Sequence, residues 1–230
     1  MALNTAMILA AGRGERMRPL TDSVPKPLLK VQGKPLIEYH LEALKRSGYE
    51  RVVINHAWLG QQIEHVLGNG ERFGLIILYS AEPCALETAG GIINALPLLC
   101  SNLKHEMFTV INGDIFTDFN FETLPSFLSE GAEAHLVMVD NPDHNPKGDF
   151  YFTGHGLYPE QGTKLTFSGI AVYRKSFFAQ QSSGVKALPP MWRTAINQGL
   201  IAAQHFTGQW TDVGTPQRLN ELNKKINGSK

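Results

Sequence analysis

Short apolar runs rich in β-branched residues alternate with stretches of helical periodicity along the first 140 residues, and this alternation constrains the fold more than any other feature. The strand-like runs fall at residues 6–10, 51–55, 75–80, 108–112 and 135–140, and the helical ones at 35–46, 59–67 and 89–99. In the first helical stretch Ile37, Leu41 and Leu44 share a face, Pro35 stands near its start and Gly48 follows its end. Strands alternating with helices imply parallel pairing, because a parallel return needs a long crossover over the sheet face.

The pattern therefore predicts a three-layer α/β/α, Rossmann-like sheet with ligands at the carboxyl ends of its strands. Near residue 141 the texture changes. Asn141-Pro142-Asp143-His144-Asn145-Pro146-Lys147-Gly148 is dense in turn formers, and residues 154–162 read as another loop. Residues 164–173 predict a long strand antiparallel to its neighbours, which makes the sheet mixed and adds a small antiparallel portion. Further helices are expected near 190–198 and 216–226. Without repeats, low-complexity tracts or a linker, residues 1–230 are expected to form one domain in two parts, about 1–140 and about 141–230.

Composition narrows the partners. Basic and acidic residues balance at 21 each, so no global field draws the chain to nucleic acid or an anionic membrane, and small molecules are the expected partners. Cys84 and Cys100 are too few for a disulfide framework or a cysteine-rich metal site. The first apolar run stops at Gly12-Arg13-Gly14, short of a signal-peptide or membrane-spanning core. A cytoplasmic monomer is the expectation.

Leu9-Ala10-Ala11-Gly12-Arg13-Gly14-Glu15-Arg16-Met17-Arg18-Pro19 follows the first strand directly. Glycines there let backbone N–H groups approach phosphate oxygens, and Arg13, Arg16 and Arg18 add guanidiniums suited to bidentate phosphate binding. The turn alone is equally compatible with a tight strand-to-helix connection. Met17 stands where a dinucleotide fingerprint has its third glycine, and no Gly-Lys-Ser/Thr of a Walker A loop follows. Pro25-Lys26-Pro27-Leu28 then fixes a lysine on a stiffened segment.

Together the turn and Pro25-Lys26-Pro27 resemble the signature of the sugar-1-phosphate nucleotidyltransferases, and the resemblance extends over essentially the whole chain. It implies a nucleotidyltransferase-type fold in which Ala11, Gly12, Arg13 and Gly14 wrap a triphosphate while Arg16 and Lys26 neutralise phosphate charge as catalytic residues. Asp114 ends the strand-like run at Val110-Ile111-Asn112-Gly113, where a hard oxygen ligand shared with phosphates suits Mg2+, although an Asx-type turn reads there too. Asp212 in Trp210-Thr211-Asp212-Val213-Gly214 could simply precede a helix. By resemblance, Asp114 and Asp212 both hold Mg2+.

Glu82-Pro83-Cys84-Ala85-Leu86-Glu87-Thr88-Ala89-Gly90-Gly91 resembles the loop that reads the nucleobase, although many relatives carry glycine where Glu87 stands. That resemblance makes Glu82, Gly90 and Gly91 base-edge candidates and Asn112 a nucleotide contact. Cys84 and His56 are expected to be packing or surface residues. The Glu-Lys-Pro segment common in glucose and mannose 1-phosphate enzymes is missing. Asn55-His56-Ala57-Trp58-Leu59-Gly60-Gln61-Gln62, the Leu86-Glu87-Thr88 loop and Gly148-Asp149-Phe150 are instead similar to the short N-acetylmuramate α-1-phosphate uridylyltransferases of cell-wall recycling. The resemblance assigns Asp149 to a sugar hydroxyl or amide, with Gly148, Ser168 and Gly169 beside it; a turn aspartate is the plainer alternative.

The lactyl carboxylate of such a sugar calls for a cation, and Lys147, Lys164 and Arg193 are the candidates. The reaction implied is in-line attack of the sugar phosphate on the α-phosphorus of UTP with pyrophosphate leaving. Alternatives are a guanylyl- or uridylyltransferase for mannose, heptose or glucose 1-phosphate, and an inactive nucleotide-sugar-binding regulator.

Overall fold

A computed structural model describes residues 4–100 and 106–227. The chain enters the sheet with β1 (Thr5–Leu9), makes a small hairpin of β2 (Lys30–Val31) and β3 (Lys34–Pro35), and returns through α1 (Leu36–Arg46) to β4 (Arg51–His56). α2 (Gly60–Leu67) and β5 (Ile76–Ala81) extend that edge, and α3 (Glu87–Leu99) carries the chain back across to β6 (Met107–Asn112). These strands run parallel in the order β6-β1-β4-β5. Successive crossovers leave β1 on opposite sides, which opens a crevice at the carboxyl ends of β1 and β6.

The second part adds β7 (Ile115–Thr117), β8 (Ala134–Val139), β9 (Phe150–Phe152), β10 (Leu157–Tyr158) and β11 (Thr163–Arg174). α4 (Pro189–Asn197), β12 (Ile201–Phe206), β13 (Trp210–Asp212) and α5 (Pro216–Asn227) complete the described chain. β11 lies antiparallel between β6 and β8, so both parts share one nine-stranded mixed sheet. Its first residues pair instead with β9, forming the small antiparallel portion with β10. Off the sheet, β13 pairs with β7 and sets Asp212 opposite Ile115.

Alternation along β1 explains the layers. Ala6 and Ile8 pack with Ile37, Leu41 and Leu44 of α1 and Ile63 and Leu67 of α2, while Met7 joins Ile92 and Ala95 of α3 and Trp192, Ala195 and Ile196 of α4. Each such large aliphatic side chain contributes about 1.5–3 kcal/mol on burial. A third cluster of Met17, Leu29, Val31, Leu36, Val213, Leu219 and Leu222 seats α5 against the chain that follows the glycine turn.

The three-layer mixed architecture is the one the alternation predicts. Among the described residues, seven strands lie outside the expected set: β2, β3, β7, β9, β13, β10 within a stretch that reads as a loop, and β12. Ile201-Ala202-Ala203-Gln204-His205-Phe206 carries little alternation and few β-branched residues, and it is a strand because β8 supplies a parallel partner along its whole length. Among the described residues no helix is long and apolar enough to cross a membrane.

Candidate active site

The carboxyl ends of β1 and β6 frame two adjoining cavities. The first, of about 240 Å³, is lined by Leu9, Ala10, Ala11 and Gly12, by Asn112, Gly113 and Asp114, and by Lys26, Pro27, Asn55, Ala85, Glu87 and Thr88. The second, of about 380 Å³, shares Asn112 and Asp114 and adds Arg16, Ile115, His144, Asn145, Asp149, Thr166, Phe167, Ser168, Trp210 and Asp212.

Lys26 sits where the cavities meet. Pro25 and Pro27, both buried, flank it in a single 3-10 turn closed by Leu28 N–H to the Pro25 carbonyl, and Lys26 Nζ donates to Asp114 Oδ2 at 2.6 Å. Asp114 lies one residue beyond β6, after Gly113, and Val213 N–H donates to its backbone carbonyl at 2.8 Å, which ties it to the end of β13. Asp212 Oδ2 accepts from Arg218 Nη1 at 2.8 Å, whereas its buried Oδ1 has no hydrogen-bond partner among the described residues. A buried, unpaired carboxylate oxygen on a residue that lines the same cavity as Asp114 fits a divalent cation. Among the described residues no cluster of three or more His, Cys, Asp or Glu could hold a metal, so phosphate oxygens and water would complete its shell.

Several of the expected residues line the two cavities. Ala11, Gly12, Lys26 and Asn112 line the first cavity, and an added Cβ at Gly12 would meet no protein atom, so that face of the turn is open. Arg16 lines the second cavity, is exposed, and makes no hydrogen bond or ion pair among the described residues. Asp149 also lines it, held by Phe167 N–H at 2.8 Å to Oδ2 and Asn145 Nδ2 at 2.9 Å to Oδ1. Ser168 lies beside it in an irregular stretch of β11, where its carbonyl accepts from Trp210 Nε1 at 2.8 Å.

Others are corrected. Arg13 points away from the cavities: its guanidinium donates to the Thr21 carbonyl at 2.7 Å and to Asp22 at 2.8 Å, and stacks 3.9 Å over Trp58. Arg18 joins it on Asp22, whose carboxyl those hydrogen bonds hold below its usual range. Gly14 likewise serves the turn, its carbonyl accepting from Thr21 Oγ1 at 2.9 Å.

Glu82 is buried with both oxygens engaged, Oε1 by Asn55 Nδ2 at 2.7 Å and Oε2 by Leu86 N–H at 2.9 Å, so it braces the loop rather than a base. Gly91 leaves room for that pair, since a Cβ there would stand 2.7 Å from both partners. Gly90 seats the 184–186 segment, and its N–H donates to the Lys186 carbonyl at 3.1 Å. Gly148 shapes the turn beneath Asn141, and Gly169 borders an apolar recess of about 230 Å³ with Trp192 and Tyr173, which adjoins the first cavity at Leu9, Thr88 and Asn112. Lys147, Lys164 and Arg193 line none of these cavities; Arg16 and His144 are the basic side chains in the second. Cys84 is exposed, and His56 is buried with Nε2 2.7 Å from Glu64.

Four residues in or beside the site that the sequence does not single out carry its geometry. Asn55, 2% exposed, accepts from Ala10 N–H at 3.0 Å and so fixes the chain as it leaves β1. Glu87 lines the first cavity with φ of 58°, a left-handed conformation that costs a non-glycine residue about 1 kcal/mol or more and explains why glycine suits this position. Arg218 grips Asp212, and the Asp-x-x-x-x-x-Arg spacing around Gly214 was the available signal. His40 is fully buried under the Asp114 turn, and burial pushes its pKa down to about 4 against the opposing pull of an Ile115 backbone hydrogen bond and the Asp114 charge, leaving it neutral.

A model of the nucleotidyl transferase family matches residues 5–151, and the chain belongs to that family. A protein of Neisseria meningitidis serogroup B named N-acetylmuramate alpha-1-phosphate uridylyltransferase is 52% identical, over 94% of this chain and 95% of its own length. A mannose-1-phosphate guanylyltransferase catalytic subunit beta of Drosophila pseudoobscura is 28% identical over 92% of the chain, which spans only 59% of that longer protein. A crystal structure described as a glucose-1-phosphate thymidylyltransferase from Bacillus anthracis shares the fold, with a TM-score of 0.84 at 20% identity over 97% of this chain and 95% of its own.

Proposed function

We propose that the protein transfers a uridylyl group from UTP to N-acetyl-α-muramate 1-phosphate, releasing pyrophosphate, with Mg2+ held by Asp114 and Asp212. The observation that carries this reading is the junction of two cavities at a Lys26–Asp114 pair, beside a second aspartate with an unpaired buried oxygen. The identity of 52% over nearly the full length of both chains supports the choice of sugar and base.

On this reading the open main chain from Ala10 to Gly12 cradles the triphosphate in the first cavity, with Lys26 beside the phosphate that reacts. Arg16, unpaired in the second cavity, neutralises the sugar phosphate, and Asp149 accepts from a hydroxyl or the amide of the sugar. The bound cation supplies charge neutralisation at the phosphates. Positioning and electrostatics then account for the acceleration without a covalent intermediate. His144 and Arg16 are the basic side chains available to a lactyl carboxylate. A site that pairs a cation with that carboxylate disfavours sugars lacking it. A matrix of UTP and GTP against the 1-phosphates of N-acetylmuramate, N-acetylglucosamine, glucose and mannose tests the assignment by kcat/KM. Equal or better use of N-acetylglucosamine 1-phosphate would refute the muramate choice alone.

A further inference from the structure

The resting site holds a cation for each of its two aspartates. Lys26 donates to Asp114 Oδ2 at 2.6 Å and Arg218 to Asp212 Oδ2 at 2.8 Å, and both cations are largely withdrawn from water, with 11% and 16% of their side chains exposed. Glycine at 214 makes the second pair possible, because a Cβ there would lie 2.5 Å from Arg218 Nη2 and 2.8 Å from Asp212 Oδ1. Thr215 Oγ1 accepts the Arg218 backbone N–H at 3.3 Å and fixes the first turn of α5, from which the guanidinium reaches back. The helix itself is anchored by buried Leu219 and Leu222. His144 Nε2 approaches the same Oδ2 at 3.4 Å.

Two carboxylates gathered by the β7–β13 pairing repel each other, and each cation offsets one of them. The same positive charges oppose a divalent ion arriving alone. The two cations differ in how firmly they are held. Arg218 carries a rigid planar guanidinium on a packed helix, whereas Lys26 ends a flexible stem that lines the triphosphate cavity.

We propose that Lys26 and Arg218 are built-in counter-ions that keep Asp114 and Asp212 neutralised in the free protein. The free protein then binds a divalent cation weakly and gains it together with a triphosphate that takes over Lys26. Arg218 stays on Oδ2 as a positioning residue and leaves Oδ1 for the ion. This proposal rests on Asp114 and Asp212 being the metal ligands.

The test is Mn2+ binding to the nucleotide-free protein by electron paramagnetic resonance, with melting temperatures recorded with and without Mn2+. Wild type, Lys26→Met, Arg218→Met and the double variant Lys26→Met/Asp212→Asn are compared. Each single Met variant is expected to bind Mn2+ about tenfold more tightly than wild type, as removal of an adjacent, partly buried like charge allows. Each is also expected to show a larger Mn2+-induced rise in melting temperature, since an ion that binds only the folded state stabilises it. Asp212→Asn should erase the gain made by Lys26→Met. If neither Met variant gains affinity, the counter-ion role is overturned while the metal ligands can stand. If the double variant keeps the full gain, Asp212 is not a ligand and the metal reading falls with the proposal.

Discussion

The two cavities meet at Asp114 yet are built by different means. The first cavity is walled mainly by the ends of β1 and β6, from Leu9 to Gly12 and from Asn112 to Gly113, with Lys26, Asp114 and Glu87 as its charged residues. The second side is walled by side chains from scattered segments: Arg16, His144, Asn145, Asp149, Thr166, Trp210 and Asp212. A cavity made of main chain is fixed by the fold, whereas one made of side chains changes with each substitution. Under the proposed function, sugar specificity falls to the second cavity and triphosphate binding to the architecture.

The largest effect is expected at the two aspartates, Asp114 shared by both cavities and Asp212 in the second. Asp114→Asn or Asp212→Asn should lower kcat by about 10²-fold or more, as loss of one major electrostatic stabiliser does. Wild-type turnover at saturating Mg2+ would take that residue out of the site. Next, Lys26→Ala should reduce kcat by about 10- to 100-fold with a smaller change in KM for UTP, because its charge acts on the transition state more than on bound substrate. A rise confined to KM would make it a binding residue only.

A smaller pair of effects sharpens the contrast between the cavities. Asp149→Asn should cost about tenfold in kcat/KM for the sugar phosphate, the size of one good charge-assisted hydrogen bond, and leave KM for UTP unchanged. Glu87→Gly should change UTP use by less than about threefold and leave the melting temperature equal or higher, since it relieves a left-handed backbone worth about 1 kcal/mol. If Glu87→Gly harms catalysis more than Asp149→Asn, side chains read the nucleotide as well and the contrast fails.

The smallest effect concerns stability beneath the site. His40 has a folded pKa of about 4 against an ordinary 6.5, so below pH 6.5 the unfolded chain takes up a proton that the folded one refuses. Its contribution is therefore complete above about pH 6.5 and is lost as the pH falls towards about 4. Chemical denaturation across that window should show a shallower acid loss in His40→Gln than in wild type.

Much of the nucleotide half is legible in sequence because local rules place it. Apolar alternation locates β1, β4, β5 and β6, and the glycine turn must follow β1, so Gly12 falls at the crevice. The side-chain partnerships are not local. Lys26 and Asp114 are 88 residues apart, and resemblance rather than spacing joined them. Glu82 and Arg13 carry the right chemistry for a nucleotide, but Asn55, Leu86, Thr21 and Asp22 occupy it, and no periodicity reveals such cross-strand and cross-loop pairings. The second half was harder still. β12 is a strand only through β8, and Arg16 and His144 reach the second cavity from segments that the sequence separates by most of the sheet.

The most direct test of the account is 31P NMR of the metal-stripped protein mixed with UTP and N-acetylmuramate 1-phosphate, before and after addition of Mg2+. No turnover is expected before addition, then equal appearance of pyrophosphate and a nucleoside diphosphate sugar, with both signals abolished or slowed about 10²-fold in Asp114→Asn. Turnover that proceeds without a divalent cation, or that persists undiminished in Asp114→Asn, would contradict it.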